Sequence, residues 1–430
     1  IAAQMKKINY EYEHIVIDNL STDSTVQILE KISKNDKNLK VIVNSRNFGH
    51  IRSPIHGLLQ ASGDAVILMS ADFQDPVELI PKYIEEWHNG HSVVMGQKKT
   101  SDESLIKHYL KKFYYKLINA ISDIPLLMDT TGAGLFDRKI IEELRKVIAD
   151  LHQCSIDQIF VGNGSDEILA LAIRAYVERD SKVGYLAPSY SLYSVLTEIE
   201  DIEHEVISLD DGFNFKIPEH LDCSLFLLAN PNAPTGIFMD VESINCFADN
   251  YKGVLLIDEA YVDFAEDNCL DLAFKHSNVI ITRSLSKSYS LAGIRCGYCI
   301  GSVDLINALY KIKDSYNVNY ITQELARVAL LDQATMRANV EAIKETRDLV
   351  FEKLTDLGYE VYESQTNFLW FKPLGIKAVK LFELLKERNI YIRYFSASSR
   401  TDDYLRVTIG TASEMFTFLD ALDEIIKSES

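Results

Sequence analysis

Basic residues are in deficit: 44 Lys and Arg stand against 63 Asp and Glu, a formal net charge of -19. Phosphate backbones require clustered positive surface, so this balance argues against a nucleic-acid partner and leaves room for a local basic pocket suited to a phosphorylated metabolite. No apolar run reaches the roughly 20 residues needed to cross a bilayer. The N-terminus also lacks a basic segment followed by an apolar one, so the expected location is the cytoplasm. Cysteine is sparse, with six residues in 430, all from Cys154 onward and without the spacing of a disulfide framework. Cys296-Gly297-Tyr298-Cys299 has the C-x-x-C spacing, but it sits in a strand-like run from Ile294 to Ile300. With no second pair to complete a zinc or redox site, buried apolar thiols are expected there. Repeats, low-complexity tracts and Pro/Gly/Ser linkers are missing too. That absence matters near residue 146, where the helical pattern Lys139 to Val147 runs straight into Ile148-Ala149-Asp150-Leu151-His152.

What is present is ordinary globular composition, 47% hydrophobic and 25% charged, over a length sufficient for two or three domains. Strand-like and helix-like patterns alternate along the whole chain, which predicts an α/β architecture with parallel strands. In the first part, His14–Asp18, Leu39–Asn44 and Ala65–Ser70 read as strands. Helical stretches follow Thr25 and Glu78, and a longer one runs from Ser101 to about Ala120. In the second part, Gln158–Gly162 reads as a strand feeding a helix from Asp166. Lys182–Leu186, Ser224–Ala229, Gly253–Ile257 and Val279–Thr282 are further strands. The expected division is 1–146, 147–312 and a smaller α+β domain at 313–430.

The densest chemistry surrounds Lys287, in Ser284-Leu285-Ser286-Lys287, with Arg295 a short stretch later. A lone lysine is ordinarily a solvated surface residue. Here Asp258 closes the apolar run Gly253–Ile257 and so sits at a sheet edge facing a crevice, with Tyr261 three residues on. Gly162-Asn163-Gly164-Ser165-Asp166-Glu167 joins a strand to a helix, and its backbone N–H groups suit a phosphate. The acidic pair there also fits plain helix capping. Ser284, Ser286 and Arg295 add hydroxyl and guanidinium donors for the same anion. Taken together, lysine, aspartate, tyrosine, hydroxyls and arginine read as a site for pyridoxal 5'-phosphate. Lys287 would hold its aldehyde and move the substrate α-proton, and Asp258 would keep the pyridine nitrogen protonated.

Over about residues 144–430 these motifs resemble histidinol-phosphate aminotransferase, of the fold-type I pyridoxal-phosphate enzymes. The resemblance implies a large domain with a mixed, mostly parallel sheet and a smaller C-terminal domain. It implies amino exchange between L-histidinol phosphate and 2-oxoglutarate, a small phosphorylated amine or ketone and glutamate as partners, and a homodimer. By the same resemblance Tyr190 stacks on the cofactor ring and Tyr261 bonds its phenolic oxygen. Asn232 is expected to reach the same oxygen, from the position before Ala233, which occupies the place where the family has its asparagine for that role. Arg406 grips the acidic group of the substrate in the bidentate manner lysine cannot reproduce, Arg393 is a second cation for a phosphate, and Asn367 supports the bound acid. The family's opening arm, and a tyrosine lent across the dimer, would precede residue 144.

Residues from about 8 to 146 resemble family 2 glycosyltransferases of the GT-A fold. The matching motifs are Ile17-Asp18-Asn19-Leu20-Ser21-Thr22-Asp23, Arg46-Asn47-Phe48-Gly49-His50 and Ser70-Ala71-Asp72-Phe73-Gln74-Asp75-Pro76. The resemblance implies that Asp18 faces a nucleotide, and that Asp72 and Gln74 face Mg²⁺ or Mn²⁺. Ser70 replaces the first aspartate of the family's D-x-D, and the match starts after the family's first strand, which predicts an incomplete pocket. Three functions stay open at this level: the histidinol-phosphate reaction, a related aminotransferase of polysaccharide or nucleotide-sugar metabolism, and an inactive fusion of two incomplete modules.

Overall fold

The computed structural model describes the chain apart from residues 9, 45–46, 48–52, 54–56, 58–59, 72–74, 92, 98–129, 179, 217–220, 315–316, 397–399 and 430. Asp72, Gln74, most of the Arg46–His50 motif and the helical pattern expected from Ser101 therefore lie outside the described residues. The chain divides into two compact units, Ile1–Glu143 and Leu144–Ser430.

In the first unit, β1 (His14–Asp18) and β2 (Leu39–Val43) pair in parallel around the Thr25–Ser33 helix. A second sheet of β3 (Ala65–Leu68), β4 (Val93–Gln97) and β5 (Thr130–Asp137) is antiparallel, with β5 in the middle. Asp18, at the end of β1, is buried and accepts both the backbone N–H of Ser21 at 2.8 Å and the Ser21 hydroxyl, a local turn that ends the strand.

In the second unit, β6 (Ile159–Gly162), β7 (Val183–Ala187), β8 (His204–Ser208), β9 (Leu225–Ala229), β10 (Val254–Asp258), β11 (Val279–Ser284) and β12 (Gly297–Gly301) form one sheet. The order is β6-β12-β11-β10-β9-β7-β8. β12 runs antiparallel to both of its neighbours, and the other adjacent pairs are parallel. The uninterrupted apolar runs follow from this position: β9 is buried at every residue because helices cover both faces of an interior parallel strand. At the edge, β8 alternates exposed and half-buried residues, the pattern of a strand with one wet face.

The strand expected at Ile294–Ile300 begins later. Ala292–Ile294 is a 3-10 turn and Arg295 adopts a left-handed conformation (φ 53°), so β12 starts at Gly297. Cys296 and Cys299 point into cores on opposite faces of the sheet, and all six cysteines are free thiols. A smaller antiparallel sheet, β13 (Glu360–Val361), β14 (Phe368–Lys372), β16 (Leu405–Thr408) and β15 (Arg393–Tyr394) in that order, packs with the Ala378–Glu387 and Ala412–Glu429 helices and the long Gln333–Asp356 helix around its own core.

Candidate active site

Parallel strands end on one edge of the sheet, and the loops leaving that edge carry most of the residues singled out from the sequence. Gly164 follows β6, Tyr190 follows β7, Asn232 follows β9, Tyr261 follows β10, Lys287 follows β11 and Arg295 precedes β12. Gly164 has φ +84° and starts the Ser165–Tyr176 helix, leaving the first N–H groups of that helix without intrahelical partners. The turn is a tight cradle. A Cβ on Gly164 would lie 2.7 Å from the Arg295 guanidinium, and one on Gly297 would lie 2.5 Å from the Ser165 nitrogen. Asp166 ties its rim together, pairing with Arg295 at 2.8 Å and accepting the Tyr190 hydroxyl at 3.2 Å. Ser284 accepts the Ser286 N–H at 3.1 Å and donates to the Ser286 hydroxyl oxygen at 2.8 Å.

Deeper in, the Lys287 ammonium lies 5.3 Å from the centre of the Tyr261 ring, and the edge of that ring meets Phe368. Asp258 is buried, and burial pushes its carboxyl up to about 6 against the opposing effects of the Tyr193 hydroxyl, the Ala260 N–H and the Lys287 charge. A buried carboxylate of this kind is stabilised by a cationic partner. Asn232 is buried on the loop that follows β9. Its amide nitrogen donates to Pro188 O and Thr235 Oγ1 at 3.0 Å each, and its oxygen accepts the Ser189 hydroxyl at 2.8 Å. Both amide hydrogens are thereby engaged in holding the loops together.

From the small sheet, Arg406 points its guanidinium over Phe368 at 4.6 Å and Phe395 at 5.6 Å, and its Nε is buried without a hydrogen-bond partner. Arg393 stands directly opposite it in the β15–β16 register and is exposed. Like charges opposed across a ladder are unfavourable, so this pair suits an anion between or beside them. Burial lowers the Arg406 pKa, in the same sense as the nearby Arg393 charge. Asn367 is half-buried, and its carbonyl accepts the Ile409 N–H at 2.9 Å.

The aminotransferase class I and II family model matches residues 109–422. The chain belongs to that family. Histidinol-phosphate aminotransferase 1 of Nostoc sp. is 41% identical over 295 residues, which is 67% of this chain and 82% of that protein. The histidinol-phosphate aminotransferase of Microcystis aeruginosa is 38% identical over 293 residues, 68% of this chain and 84% of that protein. The crystal structure of histidinol-phosphate aminotransferase from Sinorhizobium meliloti in complex with pyridoxal 5'-phosphate superposes with a TM-score of 0.61 at 25% identity, covering 68% of this chain and 83% of that one. This aminotransferase is thus a pyridoxal-phosphate-dependent transaminase. Residues 1–145 match the model for glycosyl transferase family 2, so the chain fuses two unrelated modules.

Three features of this aminotransferase escaped sequence reasoning. Tyr193 is fully buried and donates to Asp258 Oδ2 at 3.1 Å. Its signal was the i, i+3 spacing from Tyr190, which puts two tyrosines on one side of a helical turn. Behind the site, on the opposite face of the sheet, Arg283 and Glu259 form a buried pair at 2.7 Å. Strand alternation was the signal: Thr282 and Ser284 share one face, so Arg283 must take the other. Ser288, next to Lys287, donates to Asp263 and so staples the Tyr261 loop to the Lys287 loop.

Proposed function

We propose that this chain exchanges an amino group between L-histidinol phosphate and 2-oxoglutarate, giving imidazole-acetol phosphate and L-glutamate. The observation that carries this reading is the identity to histidinol-phosphate aminotransferases over 82% of the Nostoc protein's length. The tight glycine cradle, the buried Asp258 and the orphaned Arg406 nitrogen fit the phosphate, the ring nitrogen and the substrate acid respectively. Bound pyridoxal phosphate supplies an aldehyde for the amine and a ring that accepts the electron pair left by the departing α-proton.

This chain's residues do the rest. Gly164, Ser165, Asp166, Ser284, Ser286 and Arg295 hold and orient the phosphate end, through N–H, hydroxyl and guanidinium donors and the Asp166–Arg295 pair. Tyr190 walls one face of the ring, and Asp258 holds the proton on its nitrogen. The Tyr261 hydroxyl donates to the phenolic oxygen, and Asn232 fixes the loop beside it. Lys287 Nζ takes the α-proton from the amino donor and returns a proton at the neighbouring carbon. Arg406, helped by Arg393 and Asn367, grips the acidic group of the substrate. We take residues 147–312 as the cofactor domain and 313–430 as the small domain. The reading extends to a homodimer, supported by an exposed apolar stripe of Ile321, Leu325, Val328 and Leu331 on the Tyr320–Leu331 helix. It extends also to a cytoplasmic location, supported by six unpaired thiols. Among the described residues no helix is long and apolar enough to cross a membrane.

The test is transamination by the purified chain with L-histidinol phosphate and 2-oxoglutarate, monitored by glutamate release. Brisk turnover is expected, and Lys287→Ala should lower it by about 10⁴-fold. The glycosyl transferase match favours a second reading, an aminotransferase of nucleotide-sugar or polysaccharide metabolism that acts on another phosphorylated ketone. Comparison of several phosphorylated ketones as acceptors separates the two. In the first unit, Asp18 as a nucleotide contact, and Asp72 and Gln74 with Mg²⁺ or Mn²⁺, stand as the corresponding proposal for that module.

A further inference from the structure

We propose that Tyr193 is the positioning residue that fixes the orientation and charge of Asp258, and through it the hold on the cofactor ring. This rests on the reading of Asp258 as the partner of the ring nitrogen. Tyr193 lies in the first turn of the Leu192–Ile199 helix and is fully buried. Its hydroxyl meets Asp258 Oδ2 at 3.1 Å, while Oδ1 accepts the Ala260 N–H at 3.2 Å. Each oxygen therefore has one protein donor, and lone pairs remain for a ring N–H.

The titratable groups facing Asp258 come from three other segments. Tyr193 and Tyr190 lie beyond β7, Asp166 on the helix after β6, and Lys287 beyond β11. Among these, Tyr193 is the side chain that bonds the carboxylate. Asp166 opposes its charge and Lys287 favours it from a distance. Burial and the neighbouring carboxylate both raise the Tyr193 hydroxyl well above its ordinary range, so it stays a neutral donor at any working pH. The same ring meets Tyr190 edge-on, with centroids 5.7 Å apart and planes at 86°. One side chain thus buttresses both the wall of the ring pocket and its anion.

The physical consequence follows from competition. Burial disfavours the charged carboxylate, and a hydrogen bond to a charged group offsets it. With the hydroxyl removed and the ring retained, burial prevails and Asp258 takes up its proton at a higher pH. A protonated Asp258 cannot accept the cation-bearing ring without releasing a proton, so cofactor affinity falls earlier on the acid side.

The experiment uses the full, cofactor-free chain and pyridoxamine 5'-phosphate, which binds without a covalent bond to Lys287. Its Kd is measured from pH 5.5 to 8.5 for the unmodified chain, Tyr193→Phe, Asp258→Asn and the double variant, with thermal midpoints alongside. Tyr193→Phe should bind about 10- to 100-fold more weakly at pH 7, with its acid limb displaced to higher pH. The double variant should bind no more weakly than Asp258→Asn alone. An unmoved acid limb, strictly additive losses, or a lowered thermal midpoint at unchanged affinity would each overturn the proposal. If Asp258→Asn binds as tightly as the unmodified chain, the underlying reading of Asp258 fails instead. Should Tyr193→Phe not fold, a ring-fluorinated tyrosine at 193 preserves the packing and strengthens the donor. A limb moved to lower pH then supports the proposal, and an unmoved one sinks it.

Discussion

In the second unit, β9 is buried at all five of its residues, whereas in the first unit β1 has a single buried residue, Asp18, among its five. The helices differ in the same way. The Ser165–Tyr176 helix buries Ile168, Leu169, Leu171, Ala172 and Ile173, while the Thr25–Ser33 helix buries none and leaves Ile28 and Ile32 exposed. Both regions carry the same alternation of strand and helix patterns. The difference is neighbours. A strand flanked by strands on both sides and by helices above and below loses its water, and a two-stranded pair does not. A sequence pattern therefore specifies the element, and the number of layers around it decides how much apolar burial stabilises that element.

The comparison can be broken or sharpened by substitution, and the largest effect is expected behind the site. Arg283→Met leaves Glu259 charged and buried with one backbone donor, from Cys269, and should cost about 3–5 kcal/mol of stability. Urea unfolding checks this, and a loss below about 1 kcal/mol would mean the pair is far better solvated than its geometry indicates. Next, Leu227→Ala in β9 should lose about 2–5 kcal/mol, against a change within about 0.5 kcal/mol for Ile28→Ala. Equal losses in the two variants would erase the contrast between the units.

A smaller effect depends on pH. The folded carboxyl of Asp258 is raised from 3.8 to about 6, so the native state binds its proton more tightly than the unfolded chain does. Its ionisation therefore destabilises the cofactor-free protein as pH rises through that window. Asp258→Asn should add up to about 3 kcal/mol at pH 8 and close to nothing near pH 3.5, as denaturation at the two values would reveal. The smallest change is expected from Asp18→Ala, which removes the acceptor for the Ser21 turn and should cost about 1 kcal/mol. That loss belongs to the first unit, and hydrogen exchange should detect it there and leave the second unit's amides unchanged.

The legible part of the site was the part written in local sequence. Asp258 closes an apolar run and Gly164 lies between a strand and a helix, whereas the 3-10 turn before Arg295 went unread and set the start of β12 three residues later than the apolar pattern suggested. Illegible were the contacts between distant loops. The amide of Asn232 joins the Pro188 loop to Thr235, two partners that the sequence around it does not announce. Tyr193 is fully buried, and its hydroxyl reaches Asp258 from 65 positions away. No pattern in a single chain distinguishes a tyrosine whose hydroxyl meets a backbone carbonyl from one that meets a buried carboxylate.

By itself the sequence determined which residues alternate, that acidic charge dominates, and which side chains are chemically able to serve a phosphate, a pyridine nitrogen and an amine. These are properties of composition and spacing, and they survive any rearrangement of loops. The tertiary structure alone decided that Tyr190 meets Asp166 while Tyr193 meets the buried Asp258, that Arg393 and Arg406 oppose one another across a ladder, and that Glu259 neutralises Arg283 behind the lysine loop. Those outcomes depend on sheet order and on the exclusion of water between segments far apart in the chain, because burial sets the cost of every unpaired charge.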